Sequence, residues 1–169
     1  MDKLKFLLQI KTWKLFSIFI LVLLFGWSKT FENFLAPFIV LLWFCWVISI
    51  GYNGQDFLNG ITINWLTKPK FITRVGILFL VAIVGLFMPD QKSNDTNSFL
   101  LITNIVIAFV GLYCFYYVFV STAVVIATIE YRRKAEFWSS FGHFLRLLVF
   151  PLGVVGIQPI LNKEFEKLY

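Results

Sequence analysis

Histidine occurs once in this chain and cysteine twice, and charged side chains make up only 14% of the residues. One imidazole supplies no pair of metal ligands. Cys45 and Cys114 both lie inside apolar runs, with no spacing that reads as a disulfide framework or a zinc site. They read as small packing residues. No nucleophile motif of the G-x-S-x-G kind is present, and no cofactor is implied. Asp, Glu, Lys, Arg and His are also missing from the middle of each long apolar run, where an ion-coupled transporter or proton pump would place them. Glu32, Asp56, Asp90, Asp95, Glu130 and Glu136 fall instead in loops or near helix ends. This speaks against a carboxylate-based relay and leaves open a passive path lined by hydroxyls and amides.

What the chain has in excess is apolar surface. Hydrophobic residues reach 59% and aromatics 20%, with a mean hydropathy of +0.82, against the roughly 45–50% apolar content of soluble domains. Apolar runs separated by short charged stretches are what a bilayer selects, because each span must satisfy its own backbone. The net charge of +6 does not point to nucleic acid, since the Lys and Arg flank apolar segments and form no polar groove. They read as residues of topology and lipid headgroup contact.

Four runs are long enough, or nearly so, to be spans. The first, Leu15 to Trp27, follows Lys3, Lys5, Lys11 and Lys14; it shares this pattern with a leader peptide but is read as an uncleaved first helix bounded by Trp13 and Trp27. The second is Phe34 to Tyr52, with Pro37 expected in its first turn. The third is Phe71 to Met88, closed by Pro89 and the polar loop PDQKSNDTNS. The fourth, Phe99 to Ile129, carries no charge and ends at Glu130, Tyr131, Arg132, Arg133 and Lys134.

Ten Lys and Arg (the four N-terminal lysines, Lys68, Lys70, Arg74, Arg132, Arg133 and Lys134) fall on one side of this arrangement, and only Lys29 and Lys92 on the other. The positive-inside rule then makes the N-terminus, the second loop and the C-terminus cytoplasmic. The second loop carries two Asn-Gly turn signals and an alternating Ile61-Thr62-Ile63-Asn64-Trp65 stretch. It reads as an interfacial loop dipping Ile61, Ile63 and Trp65 into headgroups, with a partner-binding loop as the alternative.

The C-terminal segment has helical periodicity. Arg132, Glu136, Ser139, Ser140, His143 and Arg146 share one broad face, and Phe137, Trp138, Phe141, Phe144, Leu145 and Leu148 the other. That pattern predicts an amphipathic helix on the cytoplasmic leaflet, with Arg132, Arg133 and Lys134 at anionic headgroups. Pro151 should end it, and LGVVGI is too short to cross alone, so a re-entrant or interfacial tail is expected. A fifth span from Phe144 to Leu161 would enclose Arg146 and two prolines. The run FPLGVVGIQPILNKEF, with its proline-bounded apolar turn, Gln158-Pro159 pair and Asn162 before a charged end, resembles the tail of small uncharacterised bacterial multi-span membrane proteins. That resemblance implies a bacterial membrane setting and no activity.

The fourth run is too long for one bilayer: 31 residues at about 1.5 Å each cover about 46 Å, against a hydrocarbon core of about 30 Å. Its end, Ala123 to Ile129, is apolar all round and should be buried against the amphipathic helix or another subunit. Asn104, Ala108, Gly111 and Thr122 fall on one face, with Ala123 and Ala127 as a small-xxx-small pair, a pattern typical of helix contact surfaces.

The fold expected is thus all-α: an integral membrane protein with four transmembrane helices over 1–134, then a cytoplasmic amphipathic helix and tail over 135–169, forming one structural unit. The partners implied are the lipid bilayer, including anionic lipids, and either a homo-oligomer or a larger membrane complex. Three functions stay open. One is a non-enzymatic inner-membrane accessory or self-associating subunit; another is an oligomeric pore or membrane-perturbing effector, as in cell defence. The third is a lipid-modifying enzyme using the Glu136, Ser139, Ser140, His143 stripe.

Overall fold

The computed structural model describes residues 10–12, 14, 16–17, 20, 29–58, 60–87, 98–149 and 152–165. Most of the first apolar run and the loop from Pro89 to Asn97 lie outside these. The described residues form helices α1 (Lys29–Asn53), α2 (Lys68–Phe87), α3 (Ser98–Tyr131), α4 (Phe137–Leu148) and α5 (Leu152–Phe165), with a 3₁₀ turn at Gly54–Phe57. No strand occurs among them. The alternation at 61–65 therefore produces no strand, which would have had no partner strand to complete its backbone bonding.

Contacts along α3 fix the directions of its neighbours. Val47, Gly51 and Gly54 of α1 and its following turn meet Thr122, Thr122 and Val125 in that order, so α1 and α3 run parallel. Arg74 meets Tyr117 and Val81 approaches Gly111, so α2 runs antiparallel to both. α1 starts five residues before the expected Phe34, which puts Pro37 inside the helix and not in its first turn.

The 34 residues of α3 divide in two. Every residue from Val118 to Ile129 is buried, whereas between 101 and 117 only Gly111 and Cys114 are. The buried half is the apolar-all-round end predicted to need cover. α1, the turn after it, α4 and α5 enclose it, and Trp46, Phe71, Phe119, Ile126, Leu147 and Ile157 form the centre of that core. Leu101–Tyr131 is by itself long and apolar enough to cross a membrane; α4 and α5 meet that mark only as a pair turned through 120°.

The segment between α1 and α2 departs from expectation. Ile63 is 4% exposed and Leu66 5%, and both pack into the core with Leu58, while Ile61 is half-buried against it; of Ile61, Ile63 and Trp65 only Trp65 is at the surface. The spacing that matters there is 63 to 66, the two ends of a turn closed by the Leu66 N–H donating to the Ile63 carbonyl at 2.9 Å, and not the two-residue alternation.

After α3 the chain turns at Arg132, whose φ of 53° is the left-handed conformation that commonly ends a helix. α4 then starts with a reciprocal cap between Glu136 and Ser139. The tail folds as helix α5 in spite of Pro159. Pro159 is exposed, so the carbonyl it leaves without a donor faces outward, while Val154, Ile157, Gln158 and Leu161 share the inward face. Gly153 permits a close crossing with α4: a Cβ there would lie 2.0 Å from the Arg146 carbonyl oxygen.

Candidate functional site

The predicted polar residues at the end of α3 and on α4 do not act as one stripe. Arg132, Arg133 and Lys134 are exposed in the turn, as are Glu136, Ser139 and Arg146, but Ser140 and His143 point inward with Leu147. The opposite face is apolar and outward, with Trp138 79% exposed beside Phe141, Leu145 and Leu148. Helical spacing had grouped Ser140 and His143 with the solvent side because it registers polarity but not the Glu130 carboxylate that meets the buried imidazole from the end of α3. Phe137 and Phe144 bracket Tyr116 of α3 at 6.3 and 6.2 Å between ring centroids, which seats α4 on the bundle.

His143 Nε2 lies 2.8 Å from the Glu130 carboxylate, and its Nδ1 is buried without a hydrogen-bond partner. Burial, with Arg146 adding to it, pushes the imidazole below its ordinary value; Glu130 opposes this. A neutral ring donating from Nε2 fits both observations, since a proton on Nδ1 would be a buried donor with nothing to bond. Ser139 Oγ is committed to the Glu136 backbone, and Ser140 Oγ lies within 3.0 Å of the Glu136 and Phe137 carbonyl oxygens. The two ring nitrogens thus contact neither hydroxyl, and no Ser–His pair forms. Among the described residues no three His, Cys, Asp or Glu side chains converge as metal ligands.

The helix-contact face is used unevenly. Gly111 is buried against α2, where an added Cβ would lie 2.9 Å from Val81 Cγ1. Thr122 is buried against α1, donating to the Val118 carbonyl at 2.8 Å with the Val47 carbonyl 3.4 Å away. Ala123 and Ala127 are buried too. Asn104 is half-buried and Ala108 exposed, so among the described residues this end of the face is only partly covered.

Two constellations escaped the sequence reading. Gln158, fully buried, accepts from the Trp46 indole at 2.9 Å and donates to the Ile10 carbonyl at 3.0 Å. Asn162 reaches Thr12 Oγ1 at 3.4 Å, so α5 ties the N-terminal segment to α1. The signal was present: Gln158 is the lone amide in LGVVGIQPIL. The second is a cleft of about 530 Å³ lined by Trp65, Pro69, Lys70, Thr73, Arg74 and Tyr117. The Arg74 guanidinium stacks on Tyr113 and Tyr117, 4.9 and 5.7 Å from their ring centroids. Tyr113 and Tyr117 are one turn apart on α3, which is the spacing that lets both rings meet one cation.

No known protein family, curated protein or solved structure matches the chain.

Proposed function

We propose that this chain is a multi-pass protein of the bacterial inner membrane, with four spans and both ends cytoplasmic, that acts without catalysis as an accessory or self-associating subunit. The observation that carries this reading is the division of α3. Its second half is enclosed by the chain's own helices, while its first half leaves Ile102, Ile105, Val106, Phe109 and Leu112 in the open. Exposed Leu80 and Ile83 of α2 extend the same surface. A contiguous apolar surface of this kind needs lipid or another helix to cover it. Ala108 and Asn104 provide a small, weakly polar strip on which a second helix can approach closely. The ten-to-two distribution of Lys and Arg supports the orientation, and the outward aromatic face of α4 suits the cytoplasmic leaflet.

Purified full-length protein in liposomes tests this. The expected result is silence in ion conductance and in headgroup turnover, together with a subunit crosslink through Ala108→Cys. Conductance would transfer the chain to the pore reading, and turnover to the lipid enzyme.

A further inference from the structure

We propose that the cleft between the start of α2 and the middle of α3 binds the phosphate of an anionic phospholipid headgroup, with Arg74 and Lys70 as its ligands. The cleft's hydroxyl protons are already committed. Tyr117 donates to the Trp65 carbonyl at 3.0 Å and Thr73 to the Pro69 carbonyl at 2.9 Å. Besides the Trp65 indole N–H, the side-chain donors of the cleft that remain are the cationic Lys70 and Arg74, and no carboxylate lines it. Among the described residues Asp56 pairs with Lys68 and Glu130 lies against His143, so neither neutralises Lys70 or Arg74.

The geometry of Arg74 favours an oxyanion. The guanidinium carbon lies over the Tyr113 and Tyr117 rings, a contact with aromatic faces that is compatible with its N–H fork gripping phosphate or carboxylate. Lys70 lies one turn away on the same helix and adds a point charge. A carboxylate would be satisfied by the fork alone, whereas the several oxygens of a phosphate engage both cations. The volume of about 530 Å³ is within the roughly 300–1,000 Å³ of small-molecule sites, larger than an inorganic ion requires.

A lipid source follows from the surroundings. Trp65 and Tyr113 are exposed at the edge of the cleft, and beyond it α2 and α3 present Phe79, Leu80, Val106 and Phe109. Aromatic rings between a cationic cleft and an exposed apolar surface match the headgroup level of a bilayer, and an acyl chain leaving the cleft would lie on that surface. This lipid source rests on the membrane reading above; recognition of phosphate does not.

The test uses the full chain in a neutral detergent, titrated calorimetrically with dihexanoyl phosphatidylglycerol, dihexanoyl phosphatidylcholine and glycerol 3-phosphate. Phosphatidylglycerol should bind at one site per chain and more tightly than either control. Lys70→Gln and Arg74→Gln should each weaken it about tenfold, the loss typical of one charge-assisted hydrogen bond. Among the described residues Lys70 stacks on no ring, so Lys70→Gln should keep the wild-type thermal transition and remains informative if Arg74→Gln loosens the fold. Replacing Arg132, Arg133 and Lys134 together by Gln should leave this affinity unchanged. An affinity left unchanged by Lys70→Gln, or lowered only in the triple variant, overturns the site. Equal affinity for glycerol 3-phosphate and phosphatidylglycerol overturns the lipid source. If carbonate extraction released the chain from membranes while glycerol 3-phosphate binding still required Lys70, the membrane reading would fail and the phosphate site would stand.

Discussion

The helices α1, α2 and α3 meet closely at Gly51, and Gly51→Ala should strain that contact. A Cβ on Gly51 would lie 2.3 Å from Phe71 Cζ and 2.6 Å from Thr122 Oγ1. Carbon atoms rest about 3.5 Å apart, so the ring would have to retreat by about 1.2 Å. Phe71 is fully buried, and a ring with no open side moves only by displacing its neighbours. Overpacking of this kind costs about 1–3 kcal/mol, and contacts on two helices at once place Gly51→Ala near the top of that range, about 2–3 kcal/mol. For a chain of this size that corresponds to a fall of about 5–10 °C in Tm, read by circular dichroism in detergent. Phe71→Leu shortens the obstructing side chain and should recover part of the loss in the Gly51→Ala background, giving a coupling above about 0.5 kcal/mol in a double-mutant cycle. An unchanged Tm for Gly51→Ala, or strictly additive effects of the two substitutions, would refute this packing argument.

Three further outcomes follow from named contacts. Gln158→Leu should leave the buried Trp46 indole N–H without its acceptor and cost about 1–3 kcal/mol, measured as a lower Tm. Because burial holds His143 below its ordinary value of 6.5, the folded state binds fewer protons there than the unfolded chain. Its contribution is therefore full above that value and is lost as pH falls from it toward the lower folded value, so Tm should decline on mild acidification and His143→Gln should flatten the decline. Gly111→Leu should lower Tm by overpacking against Val81 while leaving any subunit crosslink through Ala108→Cys in place, since Gly111 faces α2 within the chain; loss of the crosslink at unchanged Tm would put Gly111 at a subunit contact instead.

Periodicity and composition carried the helices well where the signal was local. The unbroken apolar run from Phe99 corresponds to α3, its oversized end is enclosed, and the amphipathic stretch becomes α4 with both ends within two residues of the expected 135 and 150. They failed where a residue's role depends on a partner far along the chain. Helical phase put His143 on the water side because nothing nearby shows that Glu130 meets it from α3. The Trp46–Gln158 bond joins residues 112 apart, and the stacking of Arg74 on Tyr113 and Tyr117 joins two helices whose register the sequence does not display. Proline was a poor guide to helix ends: Pro37 and Pro159 both sit inside helices, Pro159 because the buried face of α5 outweighs one missing backbone bond.

The membrane arrangement itself is tested most directly by single-cysteine labelling in intact cells and inverted vesicles, in a Cys45→Ala, Cys114→Ala background. With both ends cytoplasmic and four spans, Ser93→Cys should react with a membrane-impermeant maleimide from outside, and Lys134→Cys and Tyr169→Cys only in inverted vesicles. Labelling of Tyr169→Cys from outside with Lys134→Cys still protected would contradict the four-span account and require a crossing between them.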